Sequence, residues 1–151
     1  MRLVIVESPF APQTPLPTGS CVCYGCVCTF CRARVIRNKE AARNARYLDA
    51  CLLDCLRRGE APFASHGLYT RPGVLDDLKP EERELSIRAG FAWRKVSHLT
   101  AFYIDLDWSR GMIAGRADID AMNHDPNPDF IRSRPIYPYE IRQLGGEWEQ
   151  K

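Results

Sequence analysis

Four short apolar runs, each bounded by polar or turn-forming residues, divide the chain. The first, RLVIV at 2–6, has no polar residue after Arg2, which is typical of a strand covered on both faces of a sheet. Further strands are predicted at 61–65 (APFAS), 99–104 (LTAFYI) and 135–144 (PIYPYEIRQL). The last is weakened by Pro138, because proline cannot donate to a sheet ladder.

Between these runs, apolar residues recur every three or four positions, which indicates helices. One helix is predicted from Asn38 to the glycine at 59, and a second from Pro80 to Val96. A third is predicted over 109–122 with Ser109 as its cap, and segments 66–79 and 124–130 are predicted to be loops. The predicted buried positions are Ala41, Ala45, Leu48, Leu52, Cys55 and Leu56 in the first helix and Leu85, Ala89, Ala92, Trp93 and Val96 in the second.

The alternation of strands and helices predicts an α/β fold. We expect a small Rossmann-like three-layer domain with a mostly parallel sheet of four to five strands, because parallel strands need crossover helices on the sheet faces. A chain of 151 residues has the length of one domain, so residues 1–151 are predicted to form a single unit.

The composition and the start of the chain argue against a membrane or secreted protein. No apolar run approaches the roughly 20 residues that a membrane span requires, and the start of the chain does not resemble a secretory signal. The sequence therefore predicts a cytoplasmic protein with no membrane partner. A net charge of +2 does not by itself indicate nucleic-acid binding. The charge is uneven, however: no acidic residue lies between Glu7 and Glu40, and several basic residues lie close together there.

Five of the seven cysteines lie in one stretch, CVCYGCVCTFC at 21–31, within a predicted cysteine-rich loop over 11–37. Its two C-x-x-C pairs, Cys23/Cys26 and Cys28/Cys31, have the spacing with which thiolates hold a zinc ion. A structural zinc is one interpretation; a reduced flexible loop and disulfides are the others. Cys51 and Cys55 lie four apart on a predicted helix and are predicted to face the core.

The carboxyl ends of the predicted strands should meet at one crevice, where ligands bind in open α/β sheets. The residues that follow the strands there are Ser8, His66, Tyr69, Asp105, Asp107 and Ser109. The helix that begins near Ser109 would direct free N–H groups toward a phosphate or another anion. Asn44 either reaches this crevice or is simply exposed, and Phe10 either stacks on a ligand or covers the core.

Several stretches carry a family resemblance: ESPF at 7–10, NARYLDACLLDCLRRGEAPFASHGLYT at 44–70 and DDLKPEERELSIRAGFAWRKVSHLTAFYIDLDWSRGM at 76–112. In this order, and with the terminal strand, the chain resembles the nucleoside 2-deoxyribosyltransferase-like superfamily, especially its small, often phage-encoded members. The cysteine-rich segment resembles an insertion after the first strand.

The resemblance implies an enzyme of the N-glycosidic bond, either a 2-deoxyribosyltransferase or a 2′-deoxynucleoside 5′-monophosphate N-hydrolase. It implies a nucleoside or nucleotide ligand, a homo-oligomer and the cytoplasm of a bacterial or phage-infected cell. Asp105 would exchange a proton with the nucleobase. Ser8, Pro9 and Phe10 would line the pocket, and Ser109, Gly111 and Met112 would hold the sugar or its 5′-phosphate.

One position departs from the resemblance. Gly115 stands where the family has its nucleophilic glutamate, and Asp118 is the nearest carboxylate on the same helix. Asp118 would be the relocated nucleophile of an active enzyme. Two other hypotheses stay open: a catalytically silent protein that binds or sequesters a nucleotide, and an interaction protein whose zinc-folded loop binds a partner or nucleic acid.

Overall fold

The computed structural model describes residues 1–15, 18–19, 21, 28–71, 73–124 and 137–150. Its strands are β1 (Arg2–Glu7), β2 (Glu60–Phe63), β3 (Leu99–Tyr103) and β4 (Tyr139–Arg142). Its helices are α1 (Thr29–Arg57), α2 (Ser65–Tyr69), α3 (Pro80–Arg94) and α4 (Arg110–His124), and a short 3-10 helix spans Gly146–Gln150.

The strands form one parallel sheet in the order β2-β1-β3-β4. This confirms the predicted α/β class with a parallel sheet, which has four strands in the described part of the chain. The apolar runs form strands because both sheet faces are covered: all five residues of β3 are buried.

Alternate residues of the strands pack into two separate cores, one on each face of the sheet. Val4, Val6 and Ala101 pack with Tyr47, Leu48, Cys51 and Cys55 of α1. On the other face, Phe102 packs with Met112 and Ile119 of α4. The predicted core positions of Cys51 and Cys55 are confirmed, because neither side chain is exposed.

The cysteine-rich loop is shorter than predicted. Helix α1 begins at Thr29 rather than Asn38, so the prediction of a loop over 11–37 is wrong for residues 29–37. Cys28 caps this helix, since its Sγ accepts a hydrogen bond from the backbone N–H of Cys31. Neither glycine nor proline interrupts 29–37, so nothing in this segment breaks the helix.

Three other boundaries differ from the prediction. The second strand ends at Phe63, and α2 occupies Ser65–Tyr69 in a segment that was predicted to be mostly loop. Within 137–144, the described part of the predicted 135–144, the last strand covers Tyr139–Arg142. Ser109 caps α4 as predicted, because its Oγ accepts from the backbone N–H of Met112 at 3.2 Å. Most of the predicted loop at 124–130 lies outside the described residues.

Helix α3 turns a different face inward than its apolar pattern predicts. Its buried residues are Ser86 and Arg94, whereas Leu85, Trp93 and Val96 are 44–59% exposed. The side of α3 that carries Ser86, Gly90 and Arg94 faces the cleft described below, so the predicted apolar stripe does not face the core.

Candidate functional site

A cleft of about 470 Å³ lies where the strands end, between α2, α3 and the start of α4. It is the crevice that the sequence predicts at the carboxyl edge of a parallel sheet. Of the predicted ligand-binding residues, the cleft is lined by Ser8, Phe10, His66, Ser109, Gly111 and Met112. The structure thus brings together residues from three segments that are far apart in the sequence.

Ser8 and His66 form a polar pair in the cleft. The Oγ of Ser8 lies 3.3 Å from Nε2 of His66, and the ring of Phe10 lies 5.2 Å from the imidazole ring. Burial lowers the pKa of His66 to about 4, because an imidazolium would lose its hydration there. The imidazole is therefore neutral at pH 7 and can donate or accept one hydrogen bond at each nitrogen as its tautomer allows.

A second polar group centres on Arg94, which is 2% exposed. Its Nη2 donates to Oε1 of Glu7 at 3.2 Å, and its Nη1 donates to Oδ2 of Asp118 at 2.9 Å. Both Glu7 and Arg94 line the cleft, whereas Asp118 does not. One guanidinium thus lies between two carboxylates, with Glu7 on the ligand side.

Burial raises the pKa of the Glu7 carboxyl, although the charge of Arg94 and its hydrogen bond oppose that shift. The Oε2 atom of Glu7 forms no hydrogen bond within the described chain. Glu7 is therefore a carboxyl group at the cleft with one oxygen held by Arg94 and one open to a ligand.

Gly115 also lines the cleft and lies against this group. A Cβ atom at position 115 would lie 3.1 Å from Nη2 of Arg94, which is closer than most such contacts. The backbone carbonyl of Gly115 accepts a longer hydrogen bond from Nη1 of Arg94, at 3.4 Å. The position that the resemblance assigns to a nucleophilic glutamate is thus next to a buried arginine.

Asp105 lies away from the cleft lining and holds the C-terminal segment. Its carboxylate accepts hydrogen bonds from the Tyr47 hydroxyl at 2.6 Å, the Leu144 N–H at 2.9 Å and the Gly145 N–H at 2.8 Å. The Trp148 ring packs on Tyr47 at 4.8 Å. These contacts give Asp105 a structural role, and they do not support the catalytic role predicted for it.

Four other predicted site residues lie outside the cleft lining. Asn44 does not line the cleft, but its Nδ2 donates to the carbonyls of Phe10 and Ala11 and so fixes the segment after β1. The Tyr69 hydroxyl accepts from Nε1 of Trp93 instead of facing the cleft. Pro9 is buried outside the lining, and Asp107 is exposed in a turn with φ of 65°.

The first turn of α4 borders the cleft through Ser109, Arg110, Gly111 and Met112. The amino end of a helix carries partial positive charge, and its first N–H groups have no partner within the helix. The side chain of Arg110 is exposed and forms no ion pair in the described part of the chain. This end of the cleft is suited to an anionic ligand group.

Three cysteine sulfur atoms lie close together at the start of α1. The sulfur atoms of Cys21, Cys28 and Cys31 lie within 4.8 Å of one another, and those of Cys21 and Cys28 are 3.6 Å apart. Two sulfurs bound tetrahedrally to zinc at about 2.3 Å would be about 3.8 Å apart, so the spacing suits a metal. Cys21 is disulfide-bonded in this structure, so metal binding by all three sulfurs requires reduction. Cys23 and Cys26 lie outside the described residues.

A family model matches residues 26–125, from the cysteine-rich segment to the end of α4. The chain belongs to this family, which is described as a domain of unknown function (DUF7768). No curated protein and no solved structure matches the chain. In the described residues, no helix is both long enough and apolar enough to cross a membrane.

Sequence reasoning missed Glu7 and Arg94 as site residues. The signal for Glu7 was its position at the carboxyl end of a buried strand, where it is the last residue of β1. The signal for Arg94 was a stripe of Ser86, Gly90 and Arg94 at intervals of four, which places all three on one helix face. A Cβ atom at Gly90 would lie 2.9 Å from Oγ of Ser65, so this stripe packs closely against α2.

Proposed function

We propose that the cleft binds a nucleoside or nucleotide and that the protein breaks its N-glycosidic bond, by hydrolysis or by transfer of the sugar. The observation that carries this proposal is the Glu7 carboxyl, which lines the cleft beside the buried Arg94. The sequence resemblance supplies the class of substrate, and the cleft supplies a carboxyl group of the kind used in glycosyl transfer.

The dimensions and polarity of the cleft support this class of ligand. Its volume of about 470 Å³ falls within the range of roughly 300–1,000 Å³ found for small-molecule sites. Phe10 offers an aromatic face to a base, and the first turn of α4 with Arg110 suits a 5′-phosphate at the other side.

In the proposed mechanism, Glu7 acts as the general acid. Its raised pKa favours the protonated form, which can donate a proton from Oε2 to the departing base as the C–N bond breaks and positive charge develops on the sugar. Water or an acceptor base then bonds to the anomeric carbon and gives up a proton, which restores the protonated Glu7 carboxyl. Arg94 holds Oε1 and thereby fixes the orientation of the carboxyl group. The neutral His66 and Ser8 provide hydrogen bonds to sugar or base. Asp118 is a positioning residue in this scheme, because it holds Arg94.

The test is incubation of the purified protein with each deoxynucleoside and each deoxynucleoside 5′-monophosphate, with chromatography for free base. Glu7→Gln is expected to lower the rate of base release by about 10²–10⁴-fold, the usual contribution of a general acid, while ligand affinity changes little. Glu84→Gln, on the exposed side of α3, is the matched control and should have no effect. Equal rates for wild type and Glu7→Gln would refute the role of Glu7.

A catalytically silent nucleotide-binding protein is the second candidate. It is favoured by the positions of both predicted catalytic aspartates, because Asp105 and Asp118 lie outside the cleft lining and are engaged in other contacts. In this case wild type binds nucleotide in calorimetry but releases no base. Gly115→Glu would then place a carboxylate in the cleft beside Arg94, and we expect this variant to release base where wild type does not.

We also propose that the reduced protein binds one zinc ion through Cys21, Cys28 and Cys31, with Cys23 or Cys26 as the predicted fourth ligand. The gathered sulfur atoms support this, as does the proposed cytoplasmic location, where thiols stay reduced. Elemental analysis of reduced protein should find about one zinc per chain. Cys28→Ser with Cys31→Ser should abolish binding, whereas Cys51→Ala should not, because Cys51 is in the core. Zinc retention by the double variant would refute the site.

We further propose a homo-oligomer, as the resemblance implies. The candidate contact surface consists of exposed apolar side chains on α3 and just after it, among them Leu85, Ile87 and Val96 at 44–59% exposure. Light scattering should give at least twice the chain mass, and Leu85→Glu should lower it. A monomeric wild type at micromolar concentration would refute the proposal.

A further inference from the structure

The N-terminal half of α1 carries a row of cations that the proposed chemistry does not use. Arg32, Lys39, Arg43 and Arg46, the basic stripe, lie at positions i, i+7, i+11 and i+14 of this helix. At about 100° and 1.5 Å per residue, these positions fall within about 60° of one another and span about 21 Å along the helix axis. The buried residues Tyr47 and Cys51 lie on a different face.

All four side chains of the basic stripe are exposed. None forms an ion pair or a side-chain hydrogen bond within the described part of the chain. Glu40, next to Lys39 in the sequence, attracts the charge of Arg43, but its carboxylate accepts its hydrogen bonds from the backbone N–H and the hydroxyl of Thr14. The like charges of Lys39 and Arg43, one helical turn apart, repel each other. In the described part of the chain, therefore, no ion pair or side-chain hydrogen bond neutralises the stripe.

This part of α1 also stands apart from the core. No described residue from 29 to 43 is fully buried, and the buried positions of the helix begin at Asn44. Val35 and Ile36 are 54% and 50% exposed, and Ile36 lies between Arg32 and Arg43 on the helix surface. The segment thus lies outside the core, joined to Thr14 through Arg37 and Glu40, with cations and two apolar side chains on its surface.

We propose that the basic stripe binds double-stranded DNA. Charge complementarity favours a polyanion, and the stripe is long enough to follow phosphates along a groove whose width of about 12 Å admits a helix. An anionic membrane fits less well, because an interfacial helix needs a continuous apolar face and the apolar face of α1 packs on the sheet. The proposal is independent of the chemistry in the cleft.

The test is fluorescence anisotropy with a labelled DNA duplex of about 20 base pairs over a salt series. If four cations contact phosphates, affinity should fall about 150-fold between about 50 and 200 mM salt, from a log–log slope of about −3.6. The double variant Lys39→Gln with Arg43→Gln should halve that slope to about −1.8, so that its affinity falls about 12-fold over the same salt range. Glutamine is a good helix former, so α1 should persist, as circular dichroism can check.

The matched control is Arg88→Gln with Lys95→Gln, which removes the same charge from exposed positions on and just after α3. This control and Glu7→Gln should bind DNA like wild type, so failure of the DNA proposal and failure of the proposed enzyme can be distinguished. Equal weakening by both double variants would show non-specific attraction and overturn the proposal. Tighter binding to vesicles of anionic lipid than to DNA would overturn it as well, as would the absence of DNA binding at about 50 mM salt.

Discussion

Acidification gives a direct test of the environment that the structure assigns to His66. Burial beside Ser8 and Phe10 lowers the pKa of this histidine to about 4, from an ordinary value of 6.5. The unfolded chain takes up a proton at the ordinary value, whereas the folded chain resists protonation until a much lower pH. At about 1.4 kcal/mol per pH unit, this difference is worth about 3 kcal/mol of folding free energy.

The direction of the pH dependence follows from which state of the chain binds more protons at His66. Between pH 6.5 and about 4 the unfolded state binds more protons at this residue than the folded state, so the free energy of unfolding falls as the pH falls. Above pH 6.5 both states are neutral at His66, and its contribution is constant. Below about pH 4 both are protonated, and no further loss occurs at this residue.

Urea unfolding of wild type and His66→Gln, at steps from pH 7.5 to about 4, measures this contribution. Glutamine cannot be protonated, so the stability difference between the two proteins should shift by about 3 kcal/mol across the series. Other acid-titrating groups, such as Glu60, are common to both proteins and cancel. His124→Gln, at an exposed site, serves as the control. A stability difference between wild type and His66→Gln that does not change with pH would refute a desolvated, neutral imidazole.

Two further predictions concern the scaffold. Asp105→Ala leaves the hydroxyl of Tyr47 and two backbone N–H groups without an acceptor and should lower the free energy of unfolding by about 3 kcal/mol, against almost no change for the exposed Asp49→Ala. A loss of less than about 1 kcal/mol in the free energy of urea unfolding would contradict the structural role of Asp105. Glu60→Gln breaks the buried ion pair with Arg142 and should lower the free energy of unfolding by about 3 kcal/mol, while Glu84→Gln should leave it unchanged. Equal urea midpoints for Glu60→Gln and wild type would contradict a stabilising pair. The Arg142 hydrogen bonds lower the pKa of Glu60 to about 2, so its contribution should disappear as the pH falls from 4.5 to about 2.

The sheet and the cleft could be predicted from the sequence because each depends on a strong local signal. Buried parallel strands read as continuous apolar runs, and RLVIV and LTAFYI are such runs. The position of the cleft then follows from topology alone, because parallel strands end at one edge. For this reason the sequence alone predicts that Ser8, His66 and Ser109 lie at one crevice, and all three line the cleft.

The helix boundaries were less predictable where burial does not impose a pattern. Residues 29–37 form helix without any fully buried side chain, so the three-to-four spacing that marks other helices is absent there. In α3 the spacing was present but indicated the wrong face. Leu85, Trp93 and Val96 are exposed, and the polar residues Ser86 and Arg94 are buried. No local pattern in one chain tells whether a helix turns its polar side to a cleft.

The role of Gly115 could not be predicted from the sequence, because it depends on contacts between distant segments. From the resemblance alone, a glycine at this position is a lost carboxylate. In the fold, position 115 lies beside Arg94, and the guanidinium of Arg94 already binds carboxylates from β1 and from the next turn of α4. A glutamate at 115 would compete with Glu7 and Asp118 for the same cation. The charge that faces the cleft is therefore set by Glu7 and Arg94 together, and the chemistry of the site depends on that pair more than on the residue missing at 115.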